Sequence, residues 1–373
     1  MSRKKPLGGS DSKPSKYLTQ LESFNRECDA IRRDQDSPVD ITLEEYLQER
    51  LQLSMDGLYE DIGLDPTVDT IQNIINLPDP AMRWLLPEIY LDAIRLGLRK
   101  NPIYPSVIAG EQSVKQTSVT MPAINMSDAK PKYVGVAETI ALGDVSFDQK
   151  SVKISKIGRG IRVPDEVLQY VALNVVGIFM QDWGVKLGMA MDTLLINTLI
   201  NGDQAGGIDS TAVIGVTTAN AVVFRDLLKP WVRFSRLGKN PSVMIGGETI
   251  SIDILDMLTT TRYYGDQRAT VSLKLKTPLP TNASIFVHGA MPDTQVIMLD
   301  PSDTIIKLNA QPLLVESDRI ISNQTQETYM SLTTGFATVM KDSRLILDES
   351  ILFSGNGFPT YFDPTNAEKV VID

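Results

Sequence analysis

His288 is the only histidine in the chain and Cys28 the only cysteine. A Ser-His-Asp arrangement would have to use His288 as its base. That residue, however, closes an apolar run, Ile285-Phe286-Val287-His288, where a packed imidazole is the simpler reading. With one thiol, no intrachain disulfide can form and no cysteine-based zinc site can be built. Such usage fits folding in a reducing cytoplasm. No His, Cys or carboxylate cluster stands at metal-ligand spacing, and distant acids converging in space are the one open route to such a site. Gly246-Gly247-Glu248 precedes a helical pattern and offers backbone N–H groups, but no Lys-Ser/Thr follows, so it reads as a strand-to-helix turn. Gly158-Arg159-Gly160 and Gly355-Asn356-Gly357 fall equally short of a nucleotide fingerprint, and Glu44-Glu45 reads as solvated charge. We expect no catalytic residue, no cofactor and no metal, and therefore not an enzyme.

One charge pattern is regular. Lys150, Lys153, Lys156, Arg159 and Arg162 recur every third residue, with no acid between Asp148 and Asp165. Two readings stand side by side: a solvated strand edge protected by lysine, or a basic arm that docks on an acidic neighbouring subunit. Nucleic-acid binding is a weaker third, because no aromatic residues are interleaved for base stacking. The formal net charge of -10 also argues against a dedicated nucleic-acid binder, though not against a protein that encloses nucleic acid without gripping it.

The elements that position these residues follow from length and pattern. At 373 residues, with 42% hydrophobic and 22% charged, the chain can bury a sizeable core. The first 16 or so residues, rich in Gly, Ser, Lys and Pro, read as a mobile arm with no apolar signal core. Thr42 and Glu45 form a capping box before Tyr46, Leu47, Leu51 and Met55 at helical spacing. A second helix is predicted over Pro80–Arg99, ended by Asn101-Pro102-Ile103-Tyr104-Pro105. From Gln112 to Val163 thin, polar alternations predict extended strands that lack a core of their own and need a partner surface. Pro164, followed by Asp165 and Glu166, starts a helix predicted to run unbroken to Asn201-Gly202, a length of about 57 Å. Glycines 177, 184 and 188 inside it suggest a kink or close packing against a strand. The apolar stretch Val167–Met180 is too short and interrupted for a membrane span. After a loop over 202–218, helices at Val222–Arg236 (despite Pro230) and Thr249–Arg262 alternate with strands at Pro241–Ile245, Ser284–His288 and Gln295–Leu299. Strands at Ile305–Leu308, Arg319–Ser322, Glu327–Met340 and Arg344–Leu347 follow, and the tail beyond Ile351 reads as loop.

This order of parts resembles the major capsid protein of tailed bacteriophages, the Hong Kong 97-type fold. Two stretches carry the local likeness. Asp192-Thr-Leu-Leu-Ile-Asn-Thr-Leu-Ile-Asn-Gly-Asp203 with Gly206-Gly207-Ile208 is similar to that family's acidic residue, apolar pair and Asn-Gly-Asp loop. Thr334 to Leu347 is similar to its closing strand pair. The resemblance spans roughly residues 100 to 350 and implies an α+β fold. Its implied segments are an N-terminal helical arm at 1–111 (with a scaffold-like region at 1–77), an E-loop at 112–163 and a spine helix of a peripheral domain at 164–208. An axial domain at 209–310, peripheral-domain strands at 311–350 and a tail at 351–373 complete it. It also implies self-assembly into hexamers and pentamers, with portal, scaffold and decoration proteins as partners. The shell would enclose double-stranded DNA in a virion head assembled in the bacterial cytoplasm, without membrane contact. No Lys–Asn cross-linking pair is identified. An encapsulin nanocompartment shell is the same-fold alternative, and a cytosolic hydrolase using clustered carboxylates or a serine is the alternative of another class.

Overall fold

The structure, a computed structural model, describes residues 54–62, 64–71, 85–100, 102–115, 118–124, 145–203, 210–263, 283–354 and 357–362, with 44, 47, 48, 52 and 136 singly. The arm at 1–16, the Thr42–Glu45 capping box, Cys28 and the Gly206-Gly207-Ile208 motif lie outside the described residues. The architecture is α+β, and the chain divides into two compact units: 1–101 with 157–188 and 311–332, and 102–156 with 189–310 and 333–373.

In the first unit, helix α1 covers Met55–Ile62 and α2 covers Leu85–Arg99. Ile89, Tyr90, Leu91 and Ile94 turn the apolar face of α2 inward, while Leu96 stays half exposed. The expected unbroken helix from Pro164 is in fact two. A short α3, Asp165–Tyr170, ends at Val171, whose φ of -95° and ψ of 126° are extended. Helix α4 then runs over Leu173–Asn201, 29 residues or about 44 Å. The interruption has a local cause: the first amides of α4 find acceptors outside the helix. Leu173 N–H donates to the Asp69 carbonyl at 3.0 Å and Asn174 N–H to that of Pro66 at 3.1 Å, while Ala172 bridges Thr70. A turn at 65–70 thus satisfies donors that a continuous helix would have bonded internally. Gly202, at φ 80°, closes α4 with its N–H on the Thr198 carbonyl.

The three glycines of α4 have three different surroundings. A Cβ on Gly184 would strike the backbone of Ile94 and lie 2.9 Å from the Gly97 Cα, while one on Gly97 would strike Gln181. Helices α2 and α4 therefore cross with their backbones in contact at Gly97 and Gly184, so the close packing expected at Gly184 is against a helix, not a strand. A Cβ on Gly188 would meet the Leu98 carbonyl at an ordinary 3.7 Å, and one on Gly177 would meet nothing.

The strands of the chain are β1 (Gly110–Ser113), β2 (Ser118–Ile124), β3 (Val145–Lys153), β4 (Ser155–Pro164), β5 (Val213–Val216), β6 (Val243–Gly246), β7 (Ser284–Val287), β8 (Gln295–Leu299), β9 (Ile305–Ile320), β10 (Thr325–Thr338) and β11 (Arg344–Leu352). The strands expected over 112–163 are shared between two sheets. Strands β2 and β3 pair antiparallel from Ser118↔Lys153 to Ile124↔Val145. Their neighbours join a four-stranded sheet of order β1-β9-β10-β4, with β1 parallel to β9. The base of the hairpin is anchored, since Val152 and Ile154, with Val114 and Val119, pack on Leu308 and Ala337. The two short strands expected at 305–308 and 319–322 are one strand of 16 residues, β9, turned into β10 through a 3-10 turn at Ile321–Asn323.

The second unit holds a five-stranded sheet, β5-β11-β8-β6-β7. Helices α5 (Phe224–Arg236, Pro230 within it) and α6 (Glu248–Tyr263) accompany it. Leu227, Phe234, Ile250 and Ile254 of these helices share one buried cluster with Ile214, Met244, Val296, Met298, Leu345 and Leu347 of the sheet. Three expectations are corrected here. Strand β5 lies where a loop over 202–218 was expected; four residues are too few to show a period, and β5 is held by parallel pairing to β11. Strand β11, expected among the peripheral strands at 311–350, sits between β5 and β8. The tail, expected as loop, carries Phe362, fully buried in the same cluster and edge-on to Phe234 at 5.1 Å.

Candidate assembly surface

The basic series lies on β3 and β4. A repeat of three on an extended strand of period two alternates faces, so Lys156 and Arg162 share a face and Arg159 takes the other. The side chains of Lys150 and Lys153 lie outside the described residues, and Lys156, Arg159 and Arg162 are all exposed. Two of these three have intrachain partners. The Arg162 Nε stands 2.5 Å from Glu327 Oε1 on β10, and the Tyr329 hydroxyl donates to the other oxygen of that carboxylate. Tyr329 and Arg162 together hold the Glu327 carboxyl below its ordinary range. Arg159 lies over the Trp183 ring of α4, 5.8 Å from its centroid. Lys156 is the charge of this series left pointing to solvent without a described contact. Glycines 158 and 160 allow β10 to come close. A Cβ at Gly158 would sit 2.9 Å from the Met330 carbonyl, and one at Gly160 would sit 2.5 Å from the Tyr329 ring.

Nearby in the first unit, α4 is apolar on two sides. Leu173, Val176, Met180 and Leu187 are buried, spaced as one helical face. Val175, Ile178 and Phe179 point outward, Ile178 64% and Phe179 59% exposed, and Tyr170 at the end of α3 is 82% exposed. Further along the outer face Asp182 and Lys186 pair at 2.6 Å. Exposed apolar ridges of this kind mark surfaces that another surface covers.

The residues weighed for catalysis are placed otherwise. His288 accepts the Ala290 N–H on Nδ1 at 3.0 Å, which puts its proton on Nε2, a buried atom. The Gly246-Gly247 turn is equally occupied: Gly247 N–H bonds the Gln295 carbonyl and Ile250 N–H that of Asp293. A Cβ on Gly247 would land on the Pro292 backbone. These glycines serve close packing, and the Gly247 and Ile250 amides are already bonded within the fold. Among the described residues no three His, Cys, Asp or Glu side chains converge to hold a metal ion, and no helix is long and apolar enough to cross a membrane.

No family model matches the chain, and no curated protein matches it either. Among solved structures, the chain is similar to the encapsulin of Synechococcus elongatus PCC 7942 at 14% identity, covering 67% of this chain and 88% of that one, with a TM-score of 0.49. It is similar to the capsid of cyanophage P-SCSP1u at 12% identity, over 67% and 88%, with a TM-score of 0.46. It is also similar to the mature capsid of bacteriophage PhiM1 at 10% identity, over 66% and 87%, with a TM-score of 0.47.

Asp192 was singled out in the sequence only as part of a motif; the structure gives it a task. Its buried carboxylate accepts the N–H of Ile103 at 3.1 Å and of Tyr104 at 2.9 Å, which fastens the start of the 3-10 turn Tyr104–Ser106 to α4. Burial pushes its carboxyl up despite these two donors. A lone acid among apolar residues of a helix is the signal that marks such a clamp.

Proposed function

We propose that the chain is the repeating subunit of a closed protein shell, a major capsid protein of the Hong Kong 97 type enclosing a phage genome. The observation that carries this reading is the outward apolar ridge of Tyr170, Val175, Ile178 and Phe179 in the first unit, with the two-stranded hairpin of the second unit as a further feature. An exposed apolar ridge is a feature that a lone molecule leaves uncovered and a lattice of copies covers. In this reading the function is geometric. Copies meet in hexamers and pentamers, and many modest contacts close one particle. Lys156, with Lys150 and Lys153 beside it in the strand order, docks on an acidic neighbour, which a subunit of net charge -10 supplies. Portal, scaffold and decoration proteins are the further partners, the packaged double-stranded DNA is held without sequence readout, and the place of action is the virion head.

The hairpin offers the test. Thr120 and Ser151 are paired across β2 and β3, so residues 121–150 can be replaced by an Asn-Gly turn without cutting the anchored base. The expected product is a folded subunit that forms no particles by electron microscopy, and Lys156→Glu should lower particle yield. Normal shells from the shortened chain would overturn the proposal. DNA within wild-type particles identifies a phage head, and enclosed protein in its place identifies the encapsulin alternative.

A further inference from the structure

Strand β11 carries an irregularity that places two acids side by side in the interior. Its pairing with β5 runs Ile346↔Val213, Leu347↔Ile214, Asp348↔Gly215, and then jumps to Leu352↔Val216. Residues 349–351 are therefore a bulge on the β5 side, and Gly215 lets it pass: a Cβ there would strike the Ile351 backbone. Bulges re-aim side chains. Here the usual alternation is lost, and Asp348 and Glu349 are both buried, 4% and 3% exposed.

Asp348 is fully served, accepting from Gln295 Nε2 at 2.7 Å, Ser350 N–H at 2.9 Å and Ser350 Oγ at 2.6 Å. Glu349 is not. Its backbone is pinned on both sides, its N–H to the Thr294 carbonyl and its own carbonyl to the Asn220 N–H, but its Oε2 is buried without a partner. The charged groups facing this carboxyl are Asp253, reached from α6 and hydrogen-bonded to it, and Asp348 of its own strand. β8 presents the neutral amide of Gln295, and the 218–221 turn presents backbone. Among the described residues, both charges that act on this carboxyl are negative. A hydrogen bond between two carboxyls requires a proton on one of them.

We propose that Glu349 and Asp253 share a proton and so form a latch that holds α6 against the bulge of β11, closed while the pair carries the proton and loosened when both acids ionise. Burial, followed by the charges of Asp253 and Asp348, holds the Glu349 carboxyl above its ordinary range. A carboxyl raised in the folded state contributes stability that is whole below its unfolded value and is lost as pH rises through the folded one. The latch thus closes toward acid. Its site lies within the second unit and does not depend on the shell reading.

Amide hydrogen exchange of the full chain, followed from pH 5 to pH 8, tests it. Protection of peptides covering 248–256 should fall with rising pH in the wild type after correction for intrinsic exchange. In Glu349→Gln, which keeps a donor beside Asp253 without ionising, the same peptides should keep their protection. Asp253→Asn, on the partly buried partner, should flatten the course in the same way and serves where the first variant folds poorly. Identical pH courses in the wild type and in either folded variant would overturn the latch, whatever the particle assays show.

Discussion

The crossing of α2 and α4 makes two glycine substitutions, seven residues apart on one helix, move stability in opposite directions. Gly177 faces open space, so Gly177→Ala adds a methyl that meets nothing and should stabilise by up to about 1 kcal/mol through helix propensity. Gly184→Ala gains the same propensity but puts its Cβ onto the Ile94 backbone and 2.9 Å from the Gly97 Cα. Neither obstacle is a flexible side-chain tip, so the helices must separate. Overpacking of this kind costs about 3 kcal/mol at its upper end. A separation of about 1 Å also forfeits a quarter to a half of each dispersion contact across the crossing. The net expectation is a loss of about 2 kcal/mol for Gly184→Ala. Thermal midpoints by scanning fluorimetry, with urea titrations to check that the slope is unchanged, should therefore rank Gly177→Ala, wild type, Gly184→Ala, at roughly 2 °C per kcal/mol. A Gly184→Ala protein as stable as Gly177→Ala would refute the close crossing.

Two further outcomes follow from the second unit. Phe362→Ala removes a fully buried ring packed on Phe234 and should cost about 3–5 kcal/mol in chemical denaturation; a loss under about 1 kcal/mol would mean that the tail does not close the core. Burial would raise the Asp226 carboxyl, but the Thr217 hydroxyl at 2.5 Å and Lys229 Nζ at 3.0 Å outweigh it, and the net shift is downward. Its stability is thus present above the unfolded carboxylate value and lost as pH falls through the folded one. Asp226→Asn should accordingly be destabilised at neutral pH and lose part of the wild-type decline toward acid, read as midpoint against pH.

What the sequence made legible were elements that announce themselves locally. The helices beginning at Phe224 and Glu248 start within two residues of expectation. What it concealed depended on partners distant in the chain. Nothing local distinguishes Val213–Val216 from a loop until β11, more than a hundred residues later, pairs with it. Nothing local halts the helix at Tyr170 either, because the acceptors that take the next amides come from residues 65–70. The basic series is regular along the chain, but pleating splits it between faces and Glu327 and Trp183 engage two of its members. Phe353, Phe358 and Phe362 could have betrayed the tail, since aromatics clustered in a terminal segment signal burial.

The two-sided apolarity of α4 is the feature that most constrains what the molecule does. A large apolar helix face is stable in water only when something covers it. The inward side of α4 is satisfied by Leu173, Val176, Met180 and Leu187, while Ile178 and Phe179 remain more than half exposed. Covering those two residues would release about 2–4 kcal/mol per copy. That is less than the cost of bringing two free molecules together, so one such contact does not hold a pair. The same increment repeated around a closed lattice does, because each added copy is captured by several neighbours at once and the association cost is spread over all of them. A surface too weak to hold a dimer yet too apolar to stay bare suits assembly that is unfavourable until many contacts form together.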